Sequence, residues 1–151
     1  MSRTIGIVLF NDAEELDWAG PWEVLTAGAK DGDRVITVAE THGAIRCAKG
    51  LRVLSDHTFD DSPDLDVILV PGGWGTRAER VNTTMTSYVI EQAQHAEWTT
   101  SVCTGAFILQ AAGLLEGKRA TTHWRPSTSS WASPPIRSST ATPGGSWTAT
   151  S

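Results

Sequence analysis

Cysteine is scarce in this chain. Two residues in 151, Cys47 and Cys103, stand far apart, so no disulfide framework is expected and a reducing, cytoplasmic setting fits. Basic clusters are missing as well. Lys and Arg number 12 against 17 Asp and Glu, for a net charge of −5, which argues against nucleic acid as a direct partner. Long apolar runs are also missing. The opening MSRTIGIVLF is too short for a signal peptide or a membrane span and has no cleavage-like site after it, so no membrane partner is expected. His42, His57, His95 and His123 show no metal-ligand spacing with the cysteines. Neither a metal nor another cofactor is predicted.

What remains is enough for one domain with a real core. Residues 4–10 form a continuous apolar run, the pattern of a strand buried on both faces of a parallel sheet. Residues 11–20 are a polar, acidic connection, and Pro21 is predicted to open a helix, where its missing N–H costs nothing. Trp22, Leu25 and Ala29 would give that helix its apolar stripe, with Gly32 beyond its end. Residues 34–39 read as a second strand. Residues 44–48 and 51–55 read as a hairpin about Lys49 and Gly50. Residues 65–70 are a further buried strand ending in the turn PGGWG at 71–75, and 85–95 are an amphipathic helix. A strand at 99–102, a helix after it and a short strand at 119–124 complete the pattern. Strand alternating with helix indicates an α/β doubly wound parallel sheet with a small β-hairpin. In such sheets ligands sit beyond the carboxyl ends of the strands, where 11–20, 71–75 and 103–105 all fall.

Cys103 carries the chemistry. The strand at 99–102 delivers it into a turn of small residues, Thr104, Gly105 and Ala106, which opens a helix bearing Phe107, Ile108, Ala111, Leu114 and Leu115. A sharp strand-to-helix turn exposes the apex side chain and aims the first free helical N–H groups at it. Those groups favour negative charge, so a depressed thiol pKa and an activated nucleophile are expected. The alternative is a buried structural cysteine. Cys47, in a hairpin strand, reads as core.

After Arg125 the composition changes. Residues 126–151 are rich in Ser, Thr and Pro, with Arg137 as their one charged residue. Such a segment buries too little apolar surface to offset its ordering entropy. We therefore divide the chain into a domain at 1–125, incomplete at its C-terminal end, and an irregular tail at 126–151. The tail is expected to be a frameshift product. Read one frame over, 126–131 admits an amphipathic helix start, and the codons around Trp147 admit Val-Asp-Gly-Asn-Val.

PGG at 71–73, VCTGAF at 102–107, ATTHW at 120–124 and LDWAGPWEV at 16–24 together resemble the DJ-1/PfpI (ThiJ) superfamily. They are most like its isonitrile hydratase branch and the related amidotransferase-like domains of transcription regulators. The resemblance spans residues 4–125. It implies a flavodoxin-like sandwich, a homodimer, and Cys103 at a nucleophile elbow. Protease-like members carry Cys-His where this chain has Cys103 and Thr104, which counts against peptidase activity. Glyoxalase and deglycase members carry a Glu at the end of the first strand, where this chain has Asn11 and Asp12. In the hydratase branch an Asp of an LD-x-x-GP motif faces the cysteine. It maps onto Asp17, with Leu16, Gly20 and Pro21 completing the motif.

Turnover by a cysteine needs proton delivery and an activated water, and Asp17 is the candidate for both. Its pKa is expected to rise beside a thiol in a partly desolvated crevice. The alternative role is a helix cap. Gly73 and Thr104 are candidate N–H donors to charge on the substrate, against a plain tight turn at Gly72 and Gly73. The Thr104 hydroxyl is a candidate to hold substrate or water. Trp18 and Trp74 flank the crevice in sequence as a candidate apolar wall. His123 is either a structural histidine or a proton shuttle. The leading function is a cysteine-dependent lyase that hydrates an isonitrile to an N-substituted formamide. The alternatives are a ligand-sensing domain related to transcription regulators and a redox or carbonyl-stress protein.

Overall fold

The computed structural model of the chain describes residues 2–123. The 126–151 tail, and with it the frameshift expectation, lies outside the described residues, as do Trp124 and Arg125. At the centre runs β1 (Thr4–Leu9), buried from its second residue onward. Parallel neighbours flank it on both sides, β2 (Arg34–Ala39) and β6 (Val67–Val70). Beyond them lie β5 (His57–Thr58) and β7 (Trp98–Ser101), giving the all-parallel order β5-β2-β1-β6-β7. A β-strand buried on both faces cannot alternate polar and apolar residues, and TIGIVL does not.

The chain leaves β1 to one side for β2 and β5, then returns to the other for β6 and β7. Right-handed crossovers therefore put α1 (Glu15–Ala27) on one face. The β6–β7 crossover puts α3 (Thr83–Ala93) on the other, where α4 (Ala106–Ala111) packs beside it. Accordingly α1 packs on β1 and β2, whereas α3 and α4 pack on β6. The reversal of direction falls between β1 and β6, and the crevice at that switch point is where a ligand site is expected. The hairpin stands apart as an antiparallel pair, β3 (Ile45–Arg46) with β4 (Arg52–Val53). Gly50 takes the left-handed conformation in its turn, at φ +98°. Lys49 binds the hairpin to α1: its backbone N–H donates to Glu15 Oε1 at 2.7 Å and its ammonium pairs with Glu14 at 2.7 Å.

Several boundaries depart from the sequence expectation. Helix α1 begins at Glu15, and Pro21 lies inside it. The start is set by a tertiary bond rather than by proline: Glu14 stays extended because its N–H donates to the Gly72 carbonyl at 2.9 Å. Pro21 then leaves the Asp17 carbonyl without its usual helical donor, a local weakness the helix tolerates. The predicted stripe of Trp22, Leu25 and Ala29 is not the buried face. Trp18 is the one fully buried residue of α1, while Trp22, Leu16 and Val24 are exposed and Ala29 lies past the helix end.

Helix α3 starts two residues earlier than expected because the Asn82 side chain caps it, accepting from Thr84 N at 3.0 Å. Met85, Tyr88, Val89 and Gln92 then line its buried face at helical spacing. Helix α4 is short. Gly113, at φ +74°, follows it closely, so Leu114 and Leu115 fall beyond its end yet still pack on the core. Residues 119–123 form no strand. Among the described residues no strand offers them a ladder, and an unpaired segment has no other reason to extend. The two-residue β5 and the four-residue α2 (Thr76–Glu79) were not expected. Neither is long enough to leave a periodic pattern.

Candidate active site

Cys103 begins a single 3-10 turn, Cys103–Gly105, between β7 and α4. Its φ of +53° is a left-handed conformation that a residue with a Cβ adopts only under constraint. The constraint is visible on both sides. Val102 N–H donates to the Val70 carbonyl at 3.0 Å, and Gly105 N–H returns to Val102 at 2.9 Å. Gly105 also packs directly on the Val70 and Pro71 carbonyls, where no side chain fits. The elbow expected from VCTGAF is therefore present, held by strand β6.

Asp17 reaches the same point from the first turn of α1. Its Oδ2 accepts the Gly72 N–H at 3.1 Å, and its charge acts on the Cys103 thiol. Glycine at position 72 makes this approach possible. A Cβ there would stand 2.7 Å from Asp17 Oδ2, 2.7 Å from Thr104 N and 2.8 Å from Cys103 Cβ. Gly73, at φ +120°, lies against the backbone of Asp12 and Glu14, again with no space for a side chain. The three segments predicted to converge thus meet at Gly72.

Burial pushes the Asp17 carboxyl above the usual carboxylate range, and the charge of Glu14 adds to the effect. Its bond from Gly72 and the nearby His123 oppose the rise. The expected depression of the Cys103 thiol is not found. Burial pushes that thiol up, and the Asp17 charge adds to it. The Thr104 N–H does favour the thiolate, as the turn predicts, without offsetting desolvation. Two neighbouring acids thus both resist ionisation, and their titrations are coupled. Cys47 is also pushed up by burial, and its side chain is 1 % exposed in the core beside the Trp18 indole. Access therefore decides reactivity. Iodoacetamide is expected to label Cys103 well before Cys47, with mass spectrometry of the digested protein as the check; preferential labelling of Cys47 would contradict the site.

The remaining candidates are placed as follows. Thr104 Oγ1 accepts the Gly73 N–H at 3.0 Å, so that N–H is occupied and does not serve as an oxyanion donor. The Thr104 hydroxyl joins the elbow to the 71–75 turn. Trp18 is a core residue, not a crevice wall. Trp74 is exposed at the rim, with the Arg77 guanidinium 4.1 Å from its ring centroid. His123 is exposed and close enough to act on the Asp17 charge. Thr122, beside it, donates to the Cys103 carbonyl at 2.8 Å.

Local sequence does not point to two residues of the site, Thr76 and Arg77. Both lie on α2, too short to show a period. The Arg77 cation acts on Cys103 and donates to the Gly73 carbonyl at 3.1 Å. A cavity of about 300 Å³ opens elsewhere, lined by Phe10, Glu40, Ile45, Glu79 and Met85 among others. None of Asp17, Gly72, Cys103 and Thr104 lines it. Among the described residues no group of His, Cys, Asp and Glu is arranged to hold a metal ion, and no helix is long and apolar enough to cross a membrane.

Comparison with known proteins places the fold. The chain is 43% identical over 124 residues to isonitrile hydratase of Pseudomonas putida, covering 82% of this chain and 54% of that one. It thus spans about half the length of that relative. It is 33% identical over 126 residues to the HTH-type transcriptional regulator GbdR of Pseudomonas aeruginosa, covering 81% of this chain and 34% of the regulator. The fold superposes on a ThiJ/PfpI family protein from Pseudomonas syringae with a TM-score of 0.78 at 31% identity, over 82% of this chain and 51% of that one. With residues 3–133 matching the DJ-1/PfpI family, the chain belongs to that family.

Proposed function

We propose that the chain is a cysteine-dependent lyase that hydrates an isonitrile to an N-substituted formamide. The observation that carries this reading is the Asp17 carboxyl, seated on the Gly72 N–H and brought with Cys103 to the same point at Gly72, where both acids resist ionisation. Cys103 sulfur attacks the terminal carbon of the isonitrile while Asp17 passes the thiol proton to that carbon. The product is a thioimidate, and Asp17 is left as a carboxylate. The carboxylate then takes a proton from water as the hydroxide adds to the thioimidate carbon, and returns that proton to nitrogen. Collapse expels the Cys103 thiolate, passes the hydroxyl proton to Asp17 and releases the formamide. The pair ends as it began, with one proton. The raised Asp17 pKa supports this cycle, since a group that both gives and takes protons works best near neutrality.

The similarity to a transcription regulator supports a second reading, a domain that binds a small molecule without converting it. One assay separates them. With cyclohexyl isocyanide, the hydratase reading expects N-cyclohexylformamide to accumulate in proportion to enzyme. Binding without product leaves the sensing reading, and turnover of methylglyoxal instead would favour the carbonyl-stress alternative. The same reading carries a small-molecule substrate, a cytoplasmic setting and a homodimer. The exposed Leu16, Trp22 and Val24 of α1 support the homodimer.

A further inference from the structure

The cavity of about 300 Å³ lies beyond the carboxyl ends of β1 and β2, and no residue of the elbow lines it. Much of its lining is apolar, from the buried side chains of Leu9, Phe10, Ala39, Ile45 and Met85. Its charged lining is the pair Glu40 and Glu79. The Asn82 amide ties these two together, donating to Glu40 Oε2 at 2.7 Å and to Glu79 Oε2 at 2.9 Å. The amide is fixed this way round because its oxygen caps α3, accepting from Thr84 N at 3.0 Å. An amide nitrogen carries two N–H donors. Both are spent, one on each carboxylate, and the second oxygen of each carboxylate is left open.

Two carboxylates gathered on one neutral amide repel each other, and among the described residues neither is ion-paired. Burial pushes the Glu79 carboxyl up, the Asn82 bond opposes the rise, and the Glu40 charge adds to it. A cation placed here would relieve that repulsion. Among the described residues no group is arranged to hold a metal ion, and apolar side chains cannot ligate one. An ammonium head on a short alkyl tail meets both halves of the lining. Its three N–H donors suit the open carboxylate oxygens, and its tail takes the apolar side chains out of water. A cavity of this size is at the small end of ligand sites, which limits the tail to a few carbons.

We propose that this cavity is a second ligand site, which takes a small primary alkylammonium ion with its head at Glu40 and Glu79 and its tail against Phe10 and Met85. The test is a titration of the full chain with n-pentylammonium chloride at neutral pH, followed by two-dimensional amide NMR, with 1-pentanol as the neutral control. Saturable binding is expected, with the largest shifts at residues 39–45 and 79–85, and about tenfold or more tighter than the alcohol, as hydrogen bonds to charged groups give. Glu79→Gln keeps an oxygen for Asn82 and removes the charge, so affinity is expected to fall about tenfold. Glu40→Gln is expected to do the same, and the double variant to bind no better than the alcohol is bound. Should Glu79→Gln not fold, Glu40→Gln at its exposed position carries the test alone. Cys103→Ala is expected to bind as wild type does, which separates this site from the elbow. No saturable binding, equal affinity for the alcohol, indifference to the glutamine substitutions, or shifts centred on Asp17, Gly72 and Cys103 would each overturn the proposal.

Discussion

Cys103→Ala is expected to abolish turnover while leaving the fold intact. The loss should be near total because, among the described residues, no second nucleophile lies at the elbow: Cys47 is sealed in the core and the Thr104 hydroxyl is engaged with the 71–75 turn. The fold should survive because the strain at φ +53° comes from the Cβ, which alanine keeps. The bonds that hold the elbow, from Val102 to Val70 and from Gly105 to Val102, are backbone bonds. The check is formamide release from cyclohexyl isocyanide beside a thermal melt of the same preparation. Residual activity above about a tenth of wild type would remove Cys103 from the nucleophile role, since loss of an essential nucleophile costs far more than that.

Asp17→Asn carries the second large effect, and its signature is a pair of opposite changes. Asparagine keeps an oxygen to accept the Gly72 N–H, so the loop and substrate binding should persist. It cannot shuttle a proton, and the rate should fall by about two to four orders of magnitude, the usual worth of a general acid–base. Asp17 also raises the Cys103 thiol by its charge. Removing that charge brings the thiol down, so alkylation of Cys103 at neutral pH should become faster than in wild type. Slower catalysis with faster alkylation is not what a helix cap would give. A variant that lost thermal stability but kept its rate would make Asp17 a structural residue only. In wild type the raised pKa values also fix the sign of the alkaline limb. Turnover should fall as pH rises through the raised pKa values of the pair, because the proton destined for the isonitrile carbon is gone.

The parallel sheet was legible in the sequence because its signal is local. TIGIVL, RVITVA and the run into PGGWG are too continuously apolar to be anything but strands covered on both faces. The elbow was legible for the same reason: a strand, one cysteine and a turn of small residues are contiguous, and VCTGAF folds as read. LDWAGP, through its likeness to a family motif, brought Asp17 to attention, and that residue does stand against the thiol.

Tertiary structure decided the rest. The start of α1 depends on a bond from Glu14 to Gly72, which no local pattern encodes, so local pattern alone points to Pro21 as the first residue of the helix. The thiol pKa depends on how much water the fold removes. A turn predicts the favourable N–H of Thr104, but desolvation comes from segments remote in sequence, and it prevails. Gly73 reads locally as a donor to substrate, yet its N–H is taken by a side chain 31 positions later. Thr76 and Arg77 were invisible for a related reason, since a four-residue helix has no period and what ties them to the site is the one carbonyl they share. The sequence by itself determined the parallel sheet and the turn that presents Cys103 at the end of β7. Only the fold decided how protons and charge are distributed among the residues of the site, because each hydrogen bond and each degree of burial is set by a partner elsewhere in the chain.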